Sequence, residues 1–122
     1  SRNWSWRMKI YSKKKVVIDN VRICQGLHSF IGLRFRKELK ENEAVLIERN
    51  NESILDATID MIFVFYKIDV LWLDKNKKIV DIRKNVRPFS LFSAPNKPAK
   101  YIVELRKGVS SKFKIGQKLE FR

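Results

Sequence analysis

The feature that most constrains this chain is a pair of short apolar runs at its centre. Met61–Tyr66 is uninterrupted for six residues, and Ile68–Leu73, nearly as apolar, follows after a single Lys67. Six residues fall far short of the ~20 that a helix needs to span a bilayer. Short runs rich in β-branched and aromatic residues mark strands covered on both faces. The rest of the chain is built on the same scale. Trp4, Trp6, Met8 and Ile10 alternate with Arg7 and Lys9, and Val16–Ile23 is β-branched, with Asp19-Asn20 placed to turn or bulge it. Ala44–Ile47 reads as a short strand followed by a polar, loop-like stretch over 49–56. Lys75-Asn76-Lys77 is a turn signal between Ile68–Leu73 and Ile79–Val86, which predicts a hairpin.

Pro88, Pro95 and Pro98 punctuate an irregular loop over 87–99. Tyr101, Val103 and Leu105 alternate with Ile102, Glu104 and Arg106 as a strand, Gly108–Phe113 forms a single turn, and Lys118–Arg122 closes the chain as a last strand. Helical spacing is confined to Leu27, Phe30 and Ile31, then Phe35 and Leu39, which gives one or two short helical turns near residues 25–40. The expectation is an all-β protein: one domain over 1–122, a small barrel or sandwich of seven to eight short strands. A chain of 122 residues can bury a core of its own without disulfides or metal.

The residues limit the chemistry. Cys24 is the single cysteine and His28 the single histidine, so neither an intrachain disulfide nor a four-ligand Cys/His zinc site can form. Cys24 and His28 are four apart and would share a face on a helix, a weak thiolate arrangement without an orienting third group. The glycines are Gly26, Gly32, Gly108 and Gly116, too sparse for a phosphate-cradling loop. There is no G-x-S-x-G, no dinucleotide fingerprint and no H-E-x-x-H. No catalytic residue, metal or cofactor is therefore assigned, and the balance leans away from an enzyme. No transmembrane segment and no signal peptide are visible. A cytoplasmic location is favoured, but the chain starts at Ser1 rather than Met, which leaves open a secreted or tethered form whose signal or anchor was removed upstream.

Charge is the one specific functional hint. The net charge is +14, and it is unevenly placed: residues 1–40 carry +9, residues 41–82 carry −4 and residues 83–122 carry +9. A basic–acidic–basic chain favours nucleic acid or another polyanion if its two basic thirds meet on one face. The alternative is a diffuse, solubilising coat. The first candidate set is Arg2, Trp4, Trp6 and Arg7, the basic run Lys13-Lys14-Lys15, and Arg34, Arg36 and Lys37, with cations for phosphates and Trp4 or Trp6 for base stacking. The second set is Asp60, Asp69 and Glu104. These carboxylates lie in or beside apolar strands, where a charge is costly unless bonded. They serve either to fix the fold or to line a pocket for a small molecule or carbohydrate, weakly a hydrolase if two stand the right distance apart. A protein–protein adaptor is the third possibility.

Three segments carry a family resemblance. They are Gly32-Leu33-Arg34-Phe35-Arg36-Lys37-Glu38-Leu39, then Ile68-Asp69-Val70-Leu71-Trp72-Leu73-Asp74 with Lys75–Val80, and Ala99–Gly108 with Ile115-Gly116 downstream. In order and spacing they resemble domain-of-unknown-function family 192 over about residues 16–122, leaving 1–15 as an added strand and basic segment. The matching positions are Gly32, Leu33, Arg36, Leu39, Met61, Asp69, Asp74, Glu104, Leu105 and Gly108. The resemblance implies a small barrel-like all-β fold and transfers no activity. The family's Trp-Met-x-Asn-Thr stands here as Asp60-Met61-Ile62-Phe63-Val64, so a polar pair of the family is replaced by Phe63-Val64.

Overall fold

The computed structural model describes residues 4–25, 38–57, 66–88 and 93–122, with the backbone alone at 4–7 and 24–25. Among the described residues seven strands form one sheet: β1 (Trp4–Ser12), β2 (Lys15–Gln25), β3 (Glu43–Ser53), β4 (Ile68–Leu73), β5 (Ile79–Val86), β6 (Ala99–Arg106) and β7 (Glu120–Phe121). Their order is β5-β4-β6-β3-β2-β1-β7. Every neighbouring pair is antiparallel except β2 and β3, which run parallel.

The sheet is rolled until its two ends meet. Residues leading into β7 bond to the start of β5: Ile79 N–H donates to Gln117 C=O (2.9 Å), Gly116 N–H to Ile79 C=O (2.8 Å) and Leu119 N–H to Lys77 C=O (3.0 Å). Lys78 and Lys118 face each other in an antiparallel bridge. On the other side of the same segment, Lys9 and Arg122 exchange both backbone hydrogen bonds. The C-terminal stretch is thus the last stave, and the protein is a barrel rather than a sandwich. Three register shifts in β1 sharpen the local twist that this closure needs.

Strand periodicity divides the core into two layers. Inside the barrel, Ile10, Ile18, Val21, Ala44, Leu46, Leu71, Leu73, Ile79, Val103 and Leu105 pack together. A 3₁₀ turn at Val109–Lys112 adds Val109 and Phe113 to that interior. On the outer face of β3, β4 and β6, Val45, Ile47, Ile68, Val70, Trp72 and Ile102 form a second cluster with Leu39 and Ala57. Trp72 is fully buried, and its indole N–H donates to the Ala57 carbonyl (2.8 Å). Two covered faces explain why every residue of β4 is buried, as its apolar run predicts. Trp72→Phe keeps an aromatic ring but removes the donor and leaves space where the larger indole packs. We expect it to cost about 2–3 kcal/mol in urea unfolding, because the Ala57 carbonyl loses that bond and a cavity opens in a fully buried site.

The β4–β5 hairpin and the turn within 108–113 lie where the sequence places them. The polar stretch after Ile47 is strand, not loop. β3 runs on to Ser53 because its backbone pairs with β6 out to Ala99, whatever the polarity of its exposed side chains. Cys24 stands on β2, so its helical spacing from His28 has no basis, and His28 itself lies outside the described residues. The helical turns expected near 25–40 fall largely outside them as well, and residues 38–40 are not helical.

Candidate functional site

The site is built where the sheet closes on itself. The β1–β2 hairpin turns through Lys13 and Lys14, with φ of 49° and 67°. Left-handed conformation at both central residues defines the tight turn that suits strand twist, a turn ordinarily made by Asn-Gly. The β4–β5 turn carries Lys75, Lys77 and Lys78, with Lys77 also left-handed at φ 65°. The loop before β7 carries Lys114 and Lys118. Hydrogen bonds tie these three turns together. Gln117 Nε2 donates to Ser12 Oγ (2.6 Å), Gln117 Oε1 accepts from the Lys114 N–H (3.0 Å), and the 116–119 backbone bonds to 77–79 as described.

The result is a seam lined by Lys13, Lys14, Lys15, Lys75, Lys77, Lys78, Lys114 and Lys118. All are exposed except the partly buried Lys77, whose ammonium lies 5.6 Å from the Phe121 ring centre. Among the described residues none of these eight is in a salt bridge. Neighbouring acids bond to the backbone of the seam or to Arg122. Asp74 Oδ1 accepts the Asn76 (2.9 Å) and Lys78 (3.0 Å) N–H groups, Glu52 Oε2 accepts the Lys75 N–H (2.7 Å), and Glu120 pairs with Arg122 (3.6 Å). The eight lysines outnumber these three carboxylates, and the excess focuses a positive potential outward.

The seam also unites the charge pattern. Lys13–Lys15 come from the first basic third, Lys114 and Lys118 from the last, and Lys75–Lys78 from the middle third that is acidic overall. The left-handed lysines add strain of about 1 kcal/mol each relative to glycine. Replacing Lys13-Lys14 by Asn-Gly is therefore expected to raise stability by about 1–2 kcal/mol. The same change removes two cations, so polyanion affinity should fall while urea resistance rises.

The other candidate residues fall elsewhere. Trp4, Trp6 and Arg7 lie toward the far end of β1, where Trp4 pairs with Cys24. At ~3.4 Å per residue, Trp6 is roughly 25 Å along the strand from the Lys13-Lys14 turn. The first set thus divides, and the tryptophans do not flank Lys13–Lys15. Arg2, Arg34, Arg36, Lys37 and Asp60 lie outside the described residues.

Asp69 and Glu104 do not form one constellation. Asp69 pairs in register with Leu105 and faces the barrel interior, whereas Glu104 pairs with Val70 and Val45 and faces the outer layer. Asp69 is fully buried and accepts four hydrogen bonds: Asn85 N–H on Oδ1 (3.0 Å), and Gly108 N–H (2.8 Å), Ser110 N–H (3.1 Å) and Ser110 Oγ–H (2.6 Å) on Oδ2. Asn85 (φ 53°) and Gly108 (φ 89°) are both left-handed, which aims their N–H groups at the carboxylate. Asp69 thereby locks the 3₁₀ turn to β4 and β5. It forms part of the wall of a pocket of about 390 Å³ that Lys84, Lys107 and Ser111 also line.

Glu104, 5% exposed, shares a row of the outer face with Arg22, Val45 and Val70. Its charge reaches Tyr66, whose hydroxyl is pushed up to about 12, first by burial, then by Glu104 and Glu38, against a lowering by Arg22. A tyrosine that holds its proton more tightly when folded adds stability that is complete below pH 10.0. That stability is lost as pH rises through about 12. Tyr66→Phe should flatten this part of the alkaline unfolding profile, and the tyrosinate absorbance of the folded protein should lose its latest-titrating component.

Among the described residues no group of three or more His, Cys, Asp or Glu side chains is placed to hold a metal ion, and no helix is long and apolar enough to cross a membrane. The rolled sheet, its 3₁₀ plug and the order of its motifs define the class. The DUF192 family model (Uncharacterized ACR, COG1430) matches residues 12–121, and the chain belongs to that family. It is 31% identical over 113 residues to UPF0127 protein PF1050 of Pyrococcus furiosus, covering 90% of this chain and 93% of that one. It is 35% identical over 99 residues to a UPF0127 protein of Thermococcus sibiricus, covering 80% of this chain and 62% of that one. Its fold resembles the crystal structure of a protein of unknown function from Novosphingobium aromaticivorans, with a TM-score of 0.82 at 19% identity over 96% of this chain and 84% of that one.

Lys75, Lys77, Lys78, Lys114 and Lys118 are not among the binding residues that the sequence suggests. Each is an ordinary turn or loop lysine along the chain. Only the closure of β5 against the segment before β7 brings them beside Lys13–Lys15.

Proposed function

We propose that this protein is a non-catalytic docking module for phosphate-rich polyanions, nucleic acid among them, and that the lysine seam is its contact surface. The observation that carries the proposal is the seam itself: eight lysines on three hydrogen-bonded turns, with the neighbouring carboxylates held by turn amides and Arg122. Lysines on fixed turns meet a phosphate backbone as point charges, which gives affinity and orientation without base sequence. The contacts displace condensed counterions, so binding is driven by salt release.

The test is a titration of the isotope-labelled protein with a fluorescent oligonucleotide at low salt, followed by amide chemical shifts and by anisotropy. The supporting result is saturable binding, with shifts concentrated at Lys13–Lys15, Lys77–Ile79 and Lys114–Lys118. No binding, or shifts centred on the Trp4–Arg7 end of β1, would overturn the assignment of the seam.

A further inference from the structure

Resting on that reading of the seam, we infer that the polyanion it meets is the surface of an anionic lipid bilayer. The seam combines its charge with exposed aliphatic groups. Ile115, 63% exposed, stands between Lys114 and Gly116, and Val16, 46% exposed, follows Lys15. Among the described residues these are two of the four exposed large apolar side chains, and both lie on seam segments.

The Ile115 loop is anchored. Gln117 N–H donates to the Lys114 carbonyl (3.1 Å), Gln117 Oε1 takes the Lys114 N–H, and Gly116 is left-handed at φ 93°. Phe113 and Leu119 on either side are buried in the barrel. An isoleucine on such a loop, with exposed Lys112, Lys114 and Lys118 beside it in sequence, leaves most of its apolar surface in water. A nucleic-acid backbone offers it no apolar medium. An anionic bilayer offers both: headgroup charge for the lysines and an acyl boundary for the side chain. Stable peripheral attachment takes two such signals together.

The experiment compares three partners: vesicles of pure phosphatidylcholine, vesicles of equal parts phosphatidylcholine and phosphatidylserine, and a single-stranded oligonucleotide. It is run on the wild type, on Ile115→Ser and on the Lys14→Glu/Lys118→Glu variant, with vesicle co-sedimentation and anisotropy as readouts. The expected result is binding to the phosphatidylserine vesicles and not to pure phosphatidylcholine. Ile115→Ser should weaken vesicle binding about ten-fold and oligonucleotide binding by less than about two-fold, because it removes no charge. The double lysine variant should lose both.

Oligonucleotide binding with no vesicle binding would overturn the bilayer inference and leave the docking module standing. Equal weakening of both partners by Ile115→Ser would overturn it too. Binding to neither vesicles nor oligonucleotide would defeat both.

Discussion

Asp69→Ala is expected to destabilise the protein by about 3–5 kcal/mol, the largest effect of any single change considered. The side chain is fully buried and is the shared acceptor for Asn85, Gly108 and Ser110. Removing it leaves three backbone N–H groups and a hydroxyl without that acceptor, each with a desolvation cost of about 1–3 kcal/mol before relaxation or water entry. Asn85 and Gly108 would also keep left-handed backbones that no longer serve a bond. Asp69→Asn retains size and, with its amide oxygen at the Oδ2 position, still accepts three of the four bonds while its NH2 faces the Asn85 N–H, so it should cost less than alanine. Urea unfolding of the three proteins checks this. A loss under about 1 kcal/mol for Asp69→Ala would mean that the carboxylate is not what fixes the 3₁₀ turn.

The second large effect concerns binding. Lys13→Glu, Lys14→Glu and Lys118→Glu combined should lower oligonucleotide affinity by about 100-fold or more at low salt, because three attractions become three repulsions. All three side chains are exposed, and none is in a salt bridge among the described residues, so folding stability should change by less than about 1 kcal/mol. A matched reversal of three exposed lysines outside the seam, Lys84→Glu with Lys97→Glu and Lys107→Glu, controls for net charge. If both sets weaken binding equally, the contact is a diffuse coat and the seam has no special part in it. If the seam set alone weakens it, the surface is assigned.

How much of this was legible beforehand follows from the kind of signal each feature leaves. β4 and the β4–β5 hairpin were visible because an apolar run and a turn signal are local properties of Ile68–Val86. The 3₁₀ turn at Val109–Lys112 was visible through Gly108, which sits at the positive φ that the turn requires. Only Ala44–Ile47 of β3 is marked by the sequence, because Arg49–Ser53 is polar and pairing with β6 is information the segment itself does not hold.

Asp69 and Glu104 were recognised as costly carboxylates, but which face each takes depends on strand register. One residue of register separates the barrel interior from the outer layer. The seam was half legible. The basic thirds were plain in the sequence, and Lys13-Lys14-Lys15 stood out as a run. The contribution of Lys75–Lys78 could not be seen, because it depends on the closure of β5 against the stretch before β7.

The measurement that bears most directly on the central claim is the salt dependence of oligonucleotide affinity for the wild-type protein. Each phosphate neutralised by a lysine contributes about −0.7 to the slope of log K against log salt for a single strand, and about −0.9 for a duplex. A seam that engages at least four phosphates should give a slope of about −3 or steeper. The three-lysine reversal should bring it close to zero. A shallow slope in the wild type, or no detectable binding at low salt, would contradict the assignment of this barrel seam as a polyanion-docking surface.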